Sequence, residues 1–157
     1  MRTFSVLRGL PVVDAVTGEK IGTISDLSVS ENNRVEKLLI KTGNIFSNPV
    51  SIVMNDVISI QESLIIVDGS RIQNADKLPG EYTLQNGDCL LGRMLFTNAG
   101  DELGLLEDVY FMEEMGTIVG YELTDGFFSD ISEGKRLVKP RGPTVIEKDA
   151  IFVNVDK

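Results

Sequence analysis

Two aspartates open the search for chemistry. Asp26 and Asp108 lie 82 residues apart in matching contexts, Ile24-Ser25-Asp26-Leu27 and Leu106-Glu107-Asp108-Val109. A carboxylate set among strand residues can be buried, and burial is one way to tune it for moving protons. The alternative is an acid whose oxygens accept backbone N–H bonds at a bulge or hairpin. No other residue type offers more. The 157-residue chain has no histidine, so Ser-His-Asp and Cys-His nucleophiles, a histidine base and histidine metal ligands are all excluded. Cys89 is the single cysteine, which excludes an intrachain disulfide and a cysteine-cluster zinc site. These exclusions favour a non-catalytic protein that needs no cofactor.

Two further clusters suit contact rather than catalysis. Ile45-Phe46-Ser47-Asn48 and Phe127-Phe128-Ser129-Asp130 each follow a glycine turn. Adjacent residues of a strand face opposite sides, so Phe46, Phe127 and Phe128 are candidates either for core or inter-repeat packing or for docking a partner. The segment from Lys135 to Pro143 holds Lys135, Arg136, Lys139 and Arg141. It is a basic tip on an acidic chain: 15 Lys+Arg against 24 Asp+Glu give −9. Residues 90–157 carry 13 acids against 7 bases, so the tip sits in the more acidic half. It is either a solvated loop or a contact for an anionic surface or an acidic protein segment. The overall charge disfavours nucleic acid as a partner.

The elements that position these residues come from an internal repeat. Gly9 pairs with Gly92 at an offset of 83, and Gly18 with Gly100 and Gly22 with Gly104 at 82. The repeated phrase Gly-acidic-x-apolar-Gly lacks the Gly-Lys-Ser/Thr of a phosphate loop, its acids would repel phosphate, and it reads as a turn followed by a tightly packed strand glycine. The apolar runs are short, rich in Val, Ile, Leu and Phe, and broken by Gly, Asn and Asp, which predicts an all-β chain. The longest predicted strands are 20–30 and 103–112. In the first, Ile21, Leu27 and Val29 share one parity while Ile24 takes the other, which predicts a bulge near Ser25. Asn32-Asn33 and Met115-Gly116 are the predicted hairpin turns, with residues that tolerate positive φ. The expected organisation is repeat 1 over 1–68, a connector over 69–89 with one helical turn at most, and repeat 2 over 90–157.

These stretches, Gly18–Val29 and Gly100–Phe111 above all, resemble the PRC-barrel family, and the resemblance covers nearly the whole chain. It implies two small β-barrels in tandem. The family includes the cytoplasmic domain of the photosynthetic reaction centre H subunit and the C-terminal domain of the ribosome maturation factor RimM. Those domains work by contact with other macromolecules, and some related proteins of spore-forming bacteria are associated with sporulation. The resemblance therefore implies a protein-interaction or adaptor module with a protein partner. The alternative is a small-ligand or proton-relay protein using Asp26 or Asp108. The first eight residues hold no apolar core of signal-peptide length, and no window is long enough for a membrane helix, so a cytoplasmic location is expected. A homo-oligomer remains open.

Overall fold

A computed structural model describes residues 1–43, 48–76, 78–124 and 135–155. In chain order the strands are β1 (Arg2–Thr3), β2 (Pro11–Asp14), β3 (Lys20–Ser30), β4 (Arg34–Lys41), β5 (Val50–Val53), β6 (Val57–Ile60), β7 (Ile65–Val67), β8 (Gln73–Asn74) and β9 (Glu81–Thr83). The second half adds β10 (Met94–Thr97), β11 (Glu102–Phe111), β12 (Ile118–Thr124), β13 (Lys135–Val138), β14 (Val145–Ile146) and β15 (Ala150–Val153). One turn of helix, α1 (Phe4–Leu7), and two 3-10 turns complete the described elements. The expected all-β class is what the chain adopts.

Each repeat builds one sheet. The first runs β6-β7-β2-β3-β4-β5-β8, and the second β13-β12-β11-β10-β15-β14. Neighbours pair antiparallel except β2 with β7 and β10 with β15, which are parallel and equivalent in the two repeats. The predicted bulge is present: the β3–β4 register slips between Ile24 and Asp26, and the β11–β12 register between Leu106 and Asp108. After the slip, Leu27 and Val29 reach the buried side that Ile24 already occupies. A bulge bends and twists its strand, which lets a long strand wrap a small core. The strand glycines meet the packing expectation as well. A Cβ on Gly22 would collide with the Lys41 carbonyl oxygen, and one on Gly104 with the Thr124 carbonyl oxygen.

The exchange of leading segments between the repeats has no sequence signal. β1 precedes the first sheet yet pairs with β11 of the second, with Thr3 opposite Tyr110. β9 precedes the second sheet yet pairs with β3 of the first, with Thr83 opposite Ser28. Each repeat therefore completes its long strand with the other's lead-in. Residues 69–89, expected as a connector, add β8 to the edge of β5 and β9 to β3. The anticipated helical turn is the 3-10 turn at Gly69–Arg71. The lead-ins carry apolar side chains into the interior: Phe4, Leu7, Leu84 and Leu90 are all buried.

Candidate functional site: the contact between the repeats

The aspartates anchor the exchanged segments. Asp26 is fully buried. Its Oδ1 accepts N–H bonds from Leu27 at 2.8 Å, Leu84 at 3.0 Å and Gln85 at 3.0 Å. Its Oδ2 accepts from the Asn86 backbone at 2.9 Å and the Asn86 side chain at 3.0 Å. Five donors from two segments converge on one carboxylate. Buried polar groups need such partners; four of the five donors are backbone N–H groups, and that of Leu84 is shared with the Leu27 carbonyl at 3.2 Å. Asp108 is the second copy of the arrangement. Its Oδ1 accepts from Val109 at 2.9 Å and, across the repeats, from Ser5 at 3.3 Å. Of the two readings of these acids, the geometry matches the one in which they accept backbone bonds at a bulge.

The hairpin tips meet each other in the same reciprocal way. Val35 N–H donates to the Gly116 carbonyl at 2.7 Å, and Ile118 N–H to the Asn33 carbonyl at 2.6 Å. Both pairs obey the 83-residue offset, as residue i to j and j to i must across an approximate two-fold axis. Both turns use the positive φ foreseen from their residue types, +59° at Asn33 and +74° at Gly116. Gly116 is also required by space, since a Cβ there would collide with the Val35 carbonyl oxygen. The Asn33 side chain donates to the Gly142 carbonyl at 2.6 Å and accepts from the Tyr121 hydroxyl at 3.1 Å. Tyr121 is buried and its hydroxyl also bonds Thr144 at 3.1 Å. Burial pushes the Tyr121 phenol above its ordinary value, and the Thr144 bond opposes that in part.

Charged groups reinforce the junction. Arg2 bonds Glu113 at 2.6 Å and the Ile60 carbonyl at 2.8 Å, joining the N-terminus to both repeats. Lys37 pairs with Glu81 at 3.2 Å, both side chains largely buried, and ties β4 to the exchanged β9. Arg8 donates to Gln85 at 2.8 Å, linking the two lead-ins. Arg93 was not singled out in the sequence, where it stands at the position of Leu10 in the first repeat. It is buried and donates to the carbonyls of Cys89 at 2.9 Å and Glu147 at 2.8 Å and to Asp88 at 2.8 Å. An arginine replacing an apolar residue at a repeat position was the available signal.

The surface candidates divide. Phe46, Phe127 and Phe128 lie outside the described residues. Lys135 opens β13 opposite Thr124. Arg136 is exposed and its guanidinium donates to the Leu103 carbonyl. Lys139 and Arg141 are exposed. The loop carrying them is pinned at Gly142 by Asn33 and at Arg141 by the Asn154 carbonyl, 2.6 Å from the Arg141 nitrogen. Lys139 and Arg141 are thus displayed on a held loop. Exposed Ile58 and Met115 border two clefts of about 300 and 390 Å³ on either side of the second hairpin tip. Among the described residues no group of three or more acidic or cysteine side chains is gathered as a metal site would require. No described helix is long and apolar enough to cross a membrane.

Two copies of one bulged, glycine-punctuated sheet, each closing on the other's lead-in, define a tandem repeat of a small β module. The PRC-barrel domain model matches residues 1–73 and again 87–157, and the chain belongs to that family. It is also 31% identical to the uncharacterized protein YrrD of Bacillus subtilis (strain 168), over 98% of this chain and 88% of that one.

Proposed function

We propose that this protein is a non-catalytic adaptor that presents two PRC-barrels as one bivalent body to a protein partner in the cytoplasm. The observation that carries the reading is the reciprocal exchange of β1 and β9. Because each barrel is completed by the other's segment, their relative orientation is held by backbone ladders rather than by a tether. Two binding surfaces held at a fixed spacing gain avidity for a partner with two sites or for a repeated partner. The supply of residue types supports it too, since a chain without histidine and with one cysteine lacks the usual nucleophile and base. The family resemblance extends this reading to assembly processes, sporulation among them.

The proton-relay alternative draws less support. The Asp26 oxygens already hold five N–H donors, which leaves no lone pair facing a substrate or a proton path, so that alternative falls to Asp108, whose Oδ1 holds two among the described residues. The test is retention of a partner from native extract on the immobilised full chain at moderate salt. The expected result is a protein retained in fixed stoichiometry. A chain that retains none, and whose melting temperature instead rises with a small molecule, overturns the adaptor reading.

A further inference from the structure

The two repeats treat one equivalent strand edge differently. β5 and β13 each follow a hairpin and pair antiparallel with its second strand, Leu39 facing Ser51 and Glu122 facing Leu137. In the first repeat β8 covers the outer edge of β5, with Asn74 opposite Val50 and Gln73 opposite Ser51. Ser51 Oγ donates to the Asn74 carbonyl at 3.2 Å, and Ala75 N–H to the Pro49 carbonyl at 3.3 Å. Beneath that cover Ser51 is 2% exposed. In the second repeat, among the described residues, the edge is met at the far end, where Pro140 bridges Val155. Among the described residues none pairs with the outer edge of Lys135–Val138, and Leu137, the counterpart of Ser51, is 48% exposed.

We propose that the outer edge of β13 is the docking site for an extended acidic segment of a partner protein, which adds to the second sheet where β8 adds to the first. An open strand edge presents unpaired N–H and C=O groups, and an extended peptide satisfies them by strand addition. The chemistry of the occupant follows from charge. Lys135, Arg136, Lys139 and Arg141 fall within seven residues of a chain whose net charge is −9. Opposite charges across neighbouring strands stabilise pairing and like charges oppose it. The same rule disfavours a second copy, because edge-to-edge pairing would set β13 against its own basic residues. Exposed Leu137 gives an apolar side chain of the incoming strand a place to pack. The proposal rests on the adaptor reading and names the partner's chemistry.

The probe is a blocked eight-residue peptide of alternating Glu and Val, added to the full chain and followed by NMR and amide hydrogen exchange. Slowed exchange at alternate backbone amides of β13 is expected. So is a tenfold or larger loss of affinity for the N-methylated peptide, for a Lys-Val peptide, and for Lys139→Glu in the protein. Lys139 is exposed, so that variant is expected to keep the parent melting temperature. Equal binding of the N-methylated peptide, protection confined to other strands, or no binding at all overturns the proposal. A dimer that the peptide dissociates overturns it in favour of a second copy. Partner retention on the immobilised chain, measured separately, tells failure of this edge from failure of the adaptor reading.

Discussion

Asp26 and Asp108 hold the same place in the two repeats, yet the first gathers five N–H donors and the second, among the described residues, two. The difference lies in the segments that cross to them. Leu84, Gln85 and Asn86 curl their amides around Asp26. The N-terminal lead-in instead coils into α1 directly after β1, and only Ser5 reaches Asp108. One carboxylate at one bulge is thus a strong clasp or a weak one according to the backbone that arrives from the other repeat. Duplication conserved the acid and its position; the crossing segment sets its importance.

The largest test of that contrast is truncation of each acid. Asp26→Ala removes the acceptor of the buried Leu27 N–H and one of the two acceptors of Leu84, which keeps the Leu27 carbonyl at 3.2 Å, while the Gln85 and Asn86 donors are on exposed residues and can turn to water. At about 1–3 kcal/mol for a buried group left unpaired and about 1 kcal/mol for the others together, the loss is about 3 kcal/mol. That is a large share of an ordinary domain's stability. Asp108→Ala is expected to cost about 1–2 kcal/mol. Denaturant midpoints at unchanged slope measure both, and equal losses would break the comparison.

A second contrast lies at the hairpin tips. Gly116→Asn copies the residue of the first tip into the second, where the Cβ meets the Val35 carbonyl oxygen. The expected cost is about 2–3 kcal/mol from overpacking at the junction. The reverse exchange, Asn33→Gly, keeps the backbone conformation and loses two side-chain hydrogen bonds, for about 1–2 kcal/mol. Thermal melts rank the pair. A costlier Asn33→Gly would show that the side-chain bonds, not the close approach, hold the tips together.

How legible this was depends on where the information resides. The repeat, the bulge at Ser25, the turns at Asn33 and Gly116 and the tight strand glycines were all readable, because each is written in side-chain parity or in a residue type that its φ or its space demands. The exchange of β1 and β9 was not. It is made by backbone hydrogen bonds, and the side-chain pairs that accompany it, Arg2 with Glu113 and Lys37 with Glu81, join residues 111 and 44 positions apart that no local pattern links. β8 escaped for the same reason, since Gln73-Asn74 covers the β5 edge with main-chain groups and carries no strand propensity. A backbone acceptor at a bulge was one of two readings the sequence left open for Asp26, and its second set of donors arrives from 58 to 60 residues away, beyond any local pattern.

Tyr121 gives a smaller, pH-dependent test of the same junction. Its phenol is raised by burial, so the folded chain favours the neutral form. The associated stability is complete below the ordinary tyrosine value near 10 and is lost as pH rises through the folded value. Stability followed from pH 8 to 11 is therefore expected to fall. Tyr121→Phe is expected to cost about 1 kcal/mol at neutral pH and to flatten the alkaline slope. An unchanged slope in the variant would remove Tyr121 from the account.

The smallest effect separates the first turns of the two repeats. Asp14 accepts N–H bonds from Thr17 at 2.8 Å and from Gly69 at 2.8 Å. Those two bonds, Thr17 first, hold its carboxyl below the usual aspartate value. Its counterpart is Thr97, whose hydroxyl accepts from the Asp101 backbone at 3.1 Å and does not titrate. A lowered carboxylate contributes stability that is present above its unfolded value and is lost as pH falls through the folded one. Acid therefore loosens the tie between the first turn and Gly69 through Asp14, while the hydroxyl cap of the second turn is spared. The Thr17 and Gly69 amide resonances are expected to move together, with a midpoint below the ordinary aspartate range, and Asp14→Asn is expected to abolish the shared step. A midpoint in or above that range would mean that the two bonds do not favour the charged form, and the first turn would then be no more acid-sensitive than the second.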